Sequence, residues 1–97
     1  MTIKTKLQER AKRSVPGVYM LSIIGKKYIP WDFSMYILTN IFYKTQDEAN
    51  AIALDIQRDG EGICGAFIYE IAETKATIVE QEAKQKGYDL LCLLEEV

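Results

Sequence analysis

R-D-G-E-G-I-C-G-A-F-I-Y-E-I-A-E-T-K, residues 58 to 75, is the stretch whose reading decides the fold. Gly60 follows Arg58-Asp59 at the place where a helix ends in a left-handed residue, a conformation that glycine adopts without steric cost. The apolar run from Ile63 to Tyr69 is then too short for a helix and reads as a strand. Glu70 and Glu73 come next, where the positive end of a helix dipole favours carboxylates, so a second helix opens directly from the strand.

Working outward, Thr45-Gln46-Asp47-Glu48 is a capping box, with the threonine hydroxyl and the glutamate each satisfying an amide at the start of a helix. That helix runs to about Asp59 with Ala49, Ile52, Ala53 and Ile56 on its apolar stripe. Beyond the quoted stretch, the next helix continues through Ile71, Ile78, Val79 and Glu82 to Lys86, and Gly87 is placed to end it. Tyr88 to Leu94 reads as the last strand. At the other end, Val18 to Ile24 is rich in β-branched and aromatic residues and makes the first strand. Gly25-Lys26-Lys27-Tyr28 is a loop. A helix from about Pro30 to Tyr43 follows, with Asp32 in its first turn and Phe33, Tyr36, Ile37, Ile41 and Phe42 expected on its buried face. Ile29 stands at its expected N-cap, where the lack of a hydroxyl costs about 1 kcal/mol. The order β-α-α-β-α-β predicts an α+β domain, a three-stranded sheet with helices packed on one face.

Ninety-seven residues support one domain, and 48% hydrophobic with 27% charged residues is an ordinary globular balance. No apolar run approaches the roughly 20 residues that span a bilayer, and no secretory pattern is present, so a cytoplasmic protein is expected. Cys64 and Cys92 lie in apolar contexts with no CxxC and no histidine anywhere, which argues for reduced structural thiols and against a zinc site. The lack of histidine also removes the commonest general base, and no phosphate-binding loop is present, so neither an enzyme nor a cofactor is expected. Glu73, Glu80 and Glu82 on one helix, with Glu95-Glu96, read as solvated charge. Residues 1 to 17 carry Lys4, Lys6, Arg10, Lys12 and Arg13 against Glu9, a balance of +4 that leaves −6 for the rest of a chain whose net charge is −2. With Val15-Pro16-Gly17 closing it, this segment reads as a flexible basic arm ahead of a domain at 18 to 97. Five cations with no aromatic interleaving make a weak nucleic-acid signal, and neither nucleic acid nor membrane is expected as a partner.

The motifs G-x-x-I-C-G-x-F (Gly60, Ile63, Cys64, Gly65, Phe67), E-I-A-E-T-K (Glu70 to Lys75) and L-L-C (Leu90, Leu91, Cys92) resemble the ClpS family over roughly residues 18 to 95. These are small adaptors that sit on the N-terminal domain of ClpA/ClpC-type AAA+ unfoldases. The resemblance implies docking through Glu70 and Lys75, engagement of the N-terminal arm by the unfoldase, and client proteins as further partners. On residue chemistry alone, Glu70 also reads as a helix N-terminal charge and Lys75 as a solvated side chain. Both are expected to be exposed and replaceable without harm to the fold.

The same resemblance implies a pocket for a client's free α-amino group and bulky first side chain, and here the chain departs from the pattern. The family's Asn-Asp-Asp loop is Gly25-Lys26-Lys27, its methionine gate is Trp31, and its helix histidine is Gln57. An ammonium about 4 Å from a lysine is opposed by roughly 1 kcal/mol in water and about 4 kcal/mol in a partly desolvated cleft. Gln57 still offers one amide acceptor. Trp31 either fills the hollow or packs as an ordinary core residue. Two readings stay open: recognition of N-terminal residues is lost, or the altered pocket takes an anionic ligand. A separate possibility is an interaction module of the same fold with a different protein partner. The C-terminal domain of the ribosomal stalk protein resembles this architecture without these motifs.

Overall fold

In the computed structural model residues 17–97 are described, so the expected arm falls outside the described residues except for Gly17. The elements are β1 (Val18–Gly25), α1 (Trp31–Asn40), α2 (Gln46–Asp59), β2 (Glu61–Ile68), α3 (Tyr69–Lys86) and β3 (Leu90–Glu96), the predicted order. β1 lies at the centre of one sheet in the order β2-β1-β3, antiparallel to both neighbours. Tyr19, Leu21 and Ile23 alternate toward the helices and join Phe33, Ile37, Leu38, Ala53, Ile56 and Val79 in the core.

The quoted stretch folds as its local chemistry dictates. Gly60 is left-handed at φ 79° and its N–H donates to the carbonyl of Ile56, closing α2. β2 begins at once, two residues earlier than the expected Ile63, because the Gly25 N–H donates to the Gly60 carbonyl and draws the chain into register with β1. Gly62 makes that tight turn possible: a Cβ there would lie 2.8 Å from Cγ1 of Ile56 and 3.0 Å from the Ile52 carbonyl. Leu21 faces Gly65 while Ser22 faces Ile63, which leaves Cys64 as the extra residue of a bulge. β2 then ends at Ile68, and Tyr69 already belongs to α3.

Four expectations are corrected. α1 ends at Asn40 instead of Tyr43, because Phe42 returns to the core while Tyr43 turns left-handed at φ 55°. Its N-cap is Pro30, and Ile29 is buried as a core residue. Tyr36 is exposed, and Leu38 takes its place inside. On α3 the buried stripe is Ala72, Ala76, Val79 and Ala83, a 4-3-4 spacing that lets the helix approach the sheet closely. Ile71 and Ile78 therefore face outward. β3 starts at Leu90, two residues after the expected Tyr88, since the Tyr88 N–H is used to close α3 on the Ala83 carbonyl.

Candidate functional site

The outward isoleucines of α3 lie beside the last turn of α1, and between them runs a groove of about 390 Å³ lined by Asn40, Ile41, Tyr43, Glu70, Ile71, Thr74, Lys75 and Ile78. Tyr43 is 79% exposed, Ile71 46% and Ile78 38%. Large apolar side chains presented together in this way mark contact surfaces more often than single exposed residues do. Glu70 and Lys75, paired by the sequence reading, both line this groove.

Lys75 is not the solvated side chain that its chemistry alone suggested. Its ammonium donates to the carbonyl of Ile41 at 2.6 Å and lies over the rings of Tyr43, Phe67 and Phe42 at 5.0, 5.4 and 5.7 Å from their centroids. The cause is legible from α1 itself. That helix has no basic residue in its last turn, so the negative end of its dipole lacks a local counter-charge. Lys75 supplies one from α3. The expectation that Lys75 is replaceable without harm to the fold is corrected accordingly, whereas Glu70 remains an exposed carboxylate in the first turn of α3.

A second cleft, about 340 Å³, forms where the β1 to α1 loop meets the end of α2. It is lined by Gly25, Lys26, Lys27, Tyr28, Ile29, Ile56, Gln57 and Gly60. Four of the five residues expected at the altered pocket thus come together: Gly25, Lys26, Lys27 and Gln57. Trp31 does not line it; the indole packs half-buried against the core, the plainer of its two expected roles. The loop is held by its backbone, with the Gly25 N–H on the Gly60 carbonyl at 2.9 Å and the Lys26 N–H on the Asp89 carbonyl at 3.0 Å. The lining contains two lysines and no carboxylate side chain. Acceptors there reduce to the Gln57 amide, the Tyr28 hydroxyl and backbone carbonyls.

Other polar groups take structural roles. Cys64 and Cys92 are buried free thiols, and burial pushes the Cys64 thiol up to about 12, far from a reactive thiolate. Glu80, expected to be solvated, accepts the Cys92 N–H at 2.9 Å along the outer edge of β3. That edge is thereby partly covered against pairing with another strand. Among the described residues no group of three metal-ligating side chains comes together, and no helix is long and apolar enough to cross a membrane. The sequence reading missed Asn40, Tyr43 and Thr74 as groove residues. The missing cation at the end of α1 was the available signal that something must come across from another element; nothing local pointed to the exposure of Tyr43.

Comparison with known proteins places these features in context. The family model for the ATP-dependent Clp protease adaptor protein ClpS matches residues 18–93. A Clp protease adapter protein from Helicobacter hepaticus is 45% identical over 82 residues, covering 84% of this chain and 83% of its own length. One from Nitratidesulfovibrio vulgaris is 42% identical over 83 residues, with 86% and 80% covered. The structure of Agrobacterium tumefaciens ClpS2 bound to L-phenylalaninamide matches with a TM-score of 0.77 at 24% identity, over 86% of this chain and all of that one, a likeness of fold.

Proposed function

This chain belongs to the ClpS family of Clp protease adaptors, an adaptor family and not an enzyme family, and from that premise we propose that it docks on the N-terminal domain of a ClpA/ClpC-type AAA+ unfoldase through the groove between α1 and α3. The observation that carries the proposal is the convergence of Glu70 with Tyr43, Ile71 and Ile78 on one open apolar surface. Glu70 is exposed at its rim, so it can meet a cation on the partner without disturbing the fold. Calorimetric titration of the N-terminal domain with the wild-type chain and with Glu70→Arg tests this. Charge reversal is expected to weaken binding at least 30-fold, about 2 kcal/mol, with Tm unchanged. Equal affinities for both proteins remove the groove from consideration.

The second part of the proposal concerns the cleft. The solved Agrobacterium relative is described as bound to L-phenylalaninamide, a ligand with a free α-amino group. In this chain the corresponding loop supplies Lys26 and Lys27, and the cleft has no carboxylate to balance an ammonium. The adaptor therefore regulates Clp-dependent degradation without ordinary recognition of N-terminal residues. Fluorescence anisotropy with labelled peptides beginning in Phe, Leu, Trp or Tyr is expected to show no binding below 100 µM, roughly the affinity scale of a few weak contacts. Micromolar binding that is lost on acetylating the peptide refutes it. The adjacent lysines also favour a second reading, an anionic ligand such as a phosphate or a carboxylate, which the same assay examines with phosphopeptides.

A further inference from the structure

The sheet has a second face, and its residues do not read as a solvated surface. Tyr19, Leu21 and Ile23 of β1 point to the helices, so Met20, Ser22 and Ile24 point away from them. The register sets Ile63 and Ile68 of β2, with Leu91 and Leu93 of β3, beside these three. An antiparallel sheet with one face in water alternates apolar and polar residues, whereas here the outward set is mostly apolar in all three strands. Strands about 4.8 Å apart and about 24 Å long make this a patch on the order of 300 Å², the size at which exposed apolar surface marks a contact. Its centre is already dry. Ser22 is 1% exposed with no hydrogen-bond partner for its hydroxyl, and Leu93 is 8% exposed, yet Leu93 stands outside the core cluster that the helices close. Met20, Ile24 and Leu91 do not pack against that cluster either, so what this face fits is none of α1, α2 or α3.

The rim carries charge of one sign. Glu95 lies opposite Met20 and Glu61 opposite Ile24, at opposite corners of the face, and the three strands contain no lysine or arginine. Among the described residues neither carboxylate has an ion-pair partner. Such a surface fits a segment that is apolar along one side and basic elsewhere, and this chain contains one. In residues 1 to 16, Ile3, Leu7, Ala11 and Val15 recur at every fourth position, the spacing of a helical stripe, with Lys4, Lys6, Arg10, Lys12 and Arg13 between them. The described chain begins at the end of the same sheet: a Cβ on Gly17 would stand 2.7 Å from Oε2 of Glu96, and Val18 pairs with Ile68. Sixteen residues span about 24 Å even when coiled as a helix, the length of the strands. We propose that residues 1 to 16 seat on the helix-free face of the sheet, with their apolar side chains on Met20, Ile24, Ile63 and Leu93 and their cations toward Glu61 and Glu95. A partner that draws on this segment then has first to lift it from the sheet, so the seat sets a threshold on its capture.

This inference is independent of the groove and of the cleft. Paramagnetic broadening tests it in the full chain, with a nitroxide attached at Thr5→Cys and the backbone amides observed by NMR. Cys64 and Cys92 are buried, and burial holds the Cys64 thiol at about 12, so the label goes to the introduced thiol. The amides of Met20, Ser22, Ile24, Ile63 and Leu93 are expected to lose most of their intensity while those of α1 keep theirs. Leu7→Ser and Ile63→Lys, one change on each side of the contact, are each expected to restore the lost signals, and Glu61→Lys with Glu95→Lys to restore part of them. Leu7 lies outside the described domain, so Leu7→Ser decides the matter even where Ile63→Lys lowers Tm. Broadening confined to Val18, Ile68 and Glu96, where the segment joins the sheet, means that it is unattached and the inference fails. Broadening centred on Tyr43, Ile71 and Ile78 puts the segment in the groove, and the inference fails again. If a spin-labelled chain broadens the open face of a second, isotope-labelled chain carrying no nitroxide, the occupant is another copy's segment and the assignment to the chain's own is wrong. A pattern unchanged by Leu7→Ser overturns the contact as described.

Discussion

The groove between α1 and α3 and the cleft beside the β1 to α1 loop both contain lysine, and they use it in opposite ways. In the groove, Lys75 is tied to a helix-end carbonyl and three aromatic rings, so its charge completes the fold. In the cleft, Lys26 and Lys27 are exposed and, among the described residues, their side chains have no partner. Their charge is left to act on whatever enters. One lysine is thus structural and two are electrostatic. On the proposed reading, the charges that the fold has not already used set what the cleft accepts.

The sharpest way to break that comparison is to reverse the cleft. A unit charge about 6 Å from a ligand ammonium in mostly aqueous surroundings contributes roughly 1 kcal/mol, and Lys26→Asp with Lys27→Asp changes four units. Salt screening reduces the sum to about 2 to 3 kcal/mol. The double variant is expected to gain affinity for phenylalanine-initiated peptides on the order of 50-fold over wild type, read by fluorescence anisotropy. A gain below threefold means that the hollow itself, not its charge, refuses the ligand.

The next largest effect tests the groove. Lys75→Met removes a charge-assisted hydrogen bond to a half-buried carbonyl and the cation from an aromatic enclosure, which together destabilise the fold by about 2 kcal/mol. For a domain of this size that lowers Tm by roughly 10 °C. Lys26→Met with Lys27→Met is expected to leave Tm within about 3 °C of wild type, as exposed substitutions without partners do. Thermal melts of the two proteins side by side decide it. Similar Tm values would show that the lysines are not divided as described.

The elements of both regions were legible in sequence because local chemistry specifies them. Thr45 and Glu48 form their capping box, Gly60 and Gly87 end their helices left-handed, and the order of elements along the chain follows. What was not legible depended on which neighbour arrives from elsewhere. The apolar residues of α3 name no face by themselves: a helix lying close to a sheet buries its alanines, and only the packed structure turns Ile71 and Ile78 outward. Lys75 could be paired with Glu70 through a motif, yet its partner is a carbonyl 34 positions earlier in the chain. The cleft was easier: Gly25, Lys26 and Lys27 are contiguous, and Gln57 lies one α2 turn from the Gly60 that accepts the loop. Trp31 belonged to that set by resemblance alone and packs elsewhere.

The smallest expected effect sharpens the comparison through pH. The corner that presents Tyr43 is held at Ile41 by Lys75 and at Thr45 by the capping box, where the Thr45 N–H donates to Glu48 at 3.0 Å and the Glu48 N–H donates to the Thr45 hydroxyl at 3.2 Å. The backbone N–H of Thr45, with its hydroxyl and the nearby Lys44 charge adding to it, holds the Glu48 carboxyl below its ordinary 4.5. A carboxyl lowered in the folded state stabilises that state above its unfolded value and loses the contribution as pH falls through the folded one. Glutamine fills the same position in capping boxes, so Glu48→Gln keeps the hydrogen bond and removes only the charge. Urea midpoints of wild type and Glu48→Gln are therefore expected to differ slightly in favour of wild type from pH 7 down to about 4.5, and to converge as the pH drops below it. The cleft, with no carboxylate side chain in its lining, contributes nothing to that convergence. A gap that persists unchanged to pH 3 would show that the box is held by geometry alone, and that acid leaves the docking corner as it leaves the cleft.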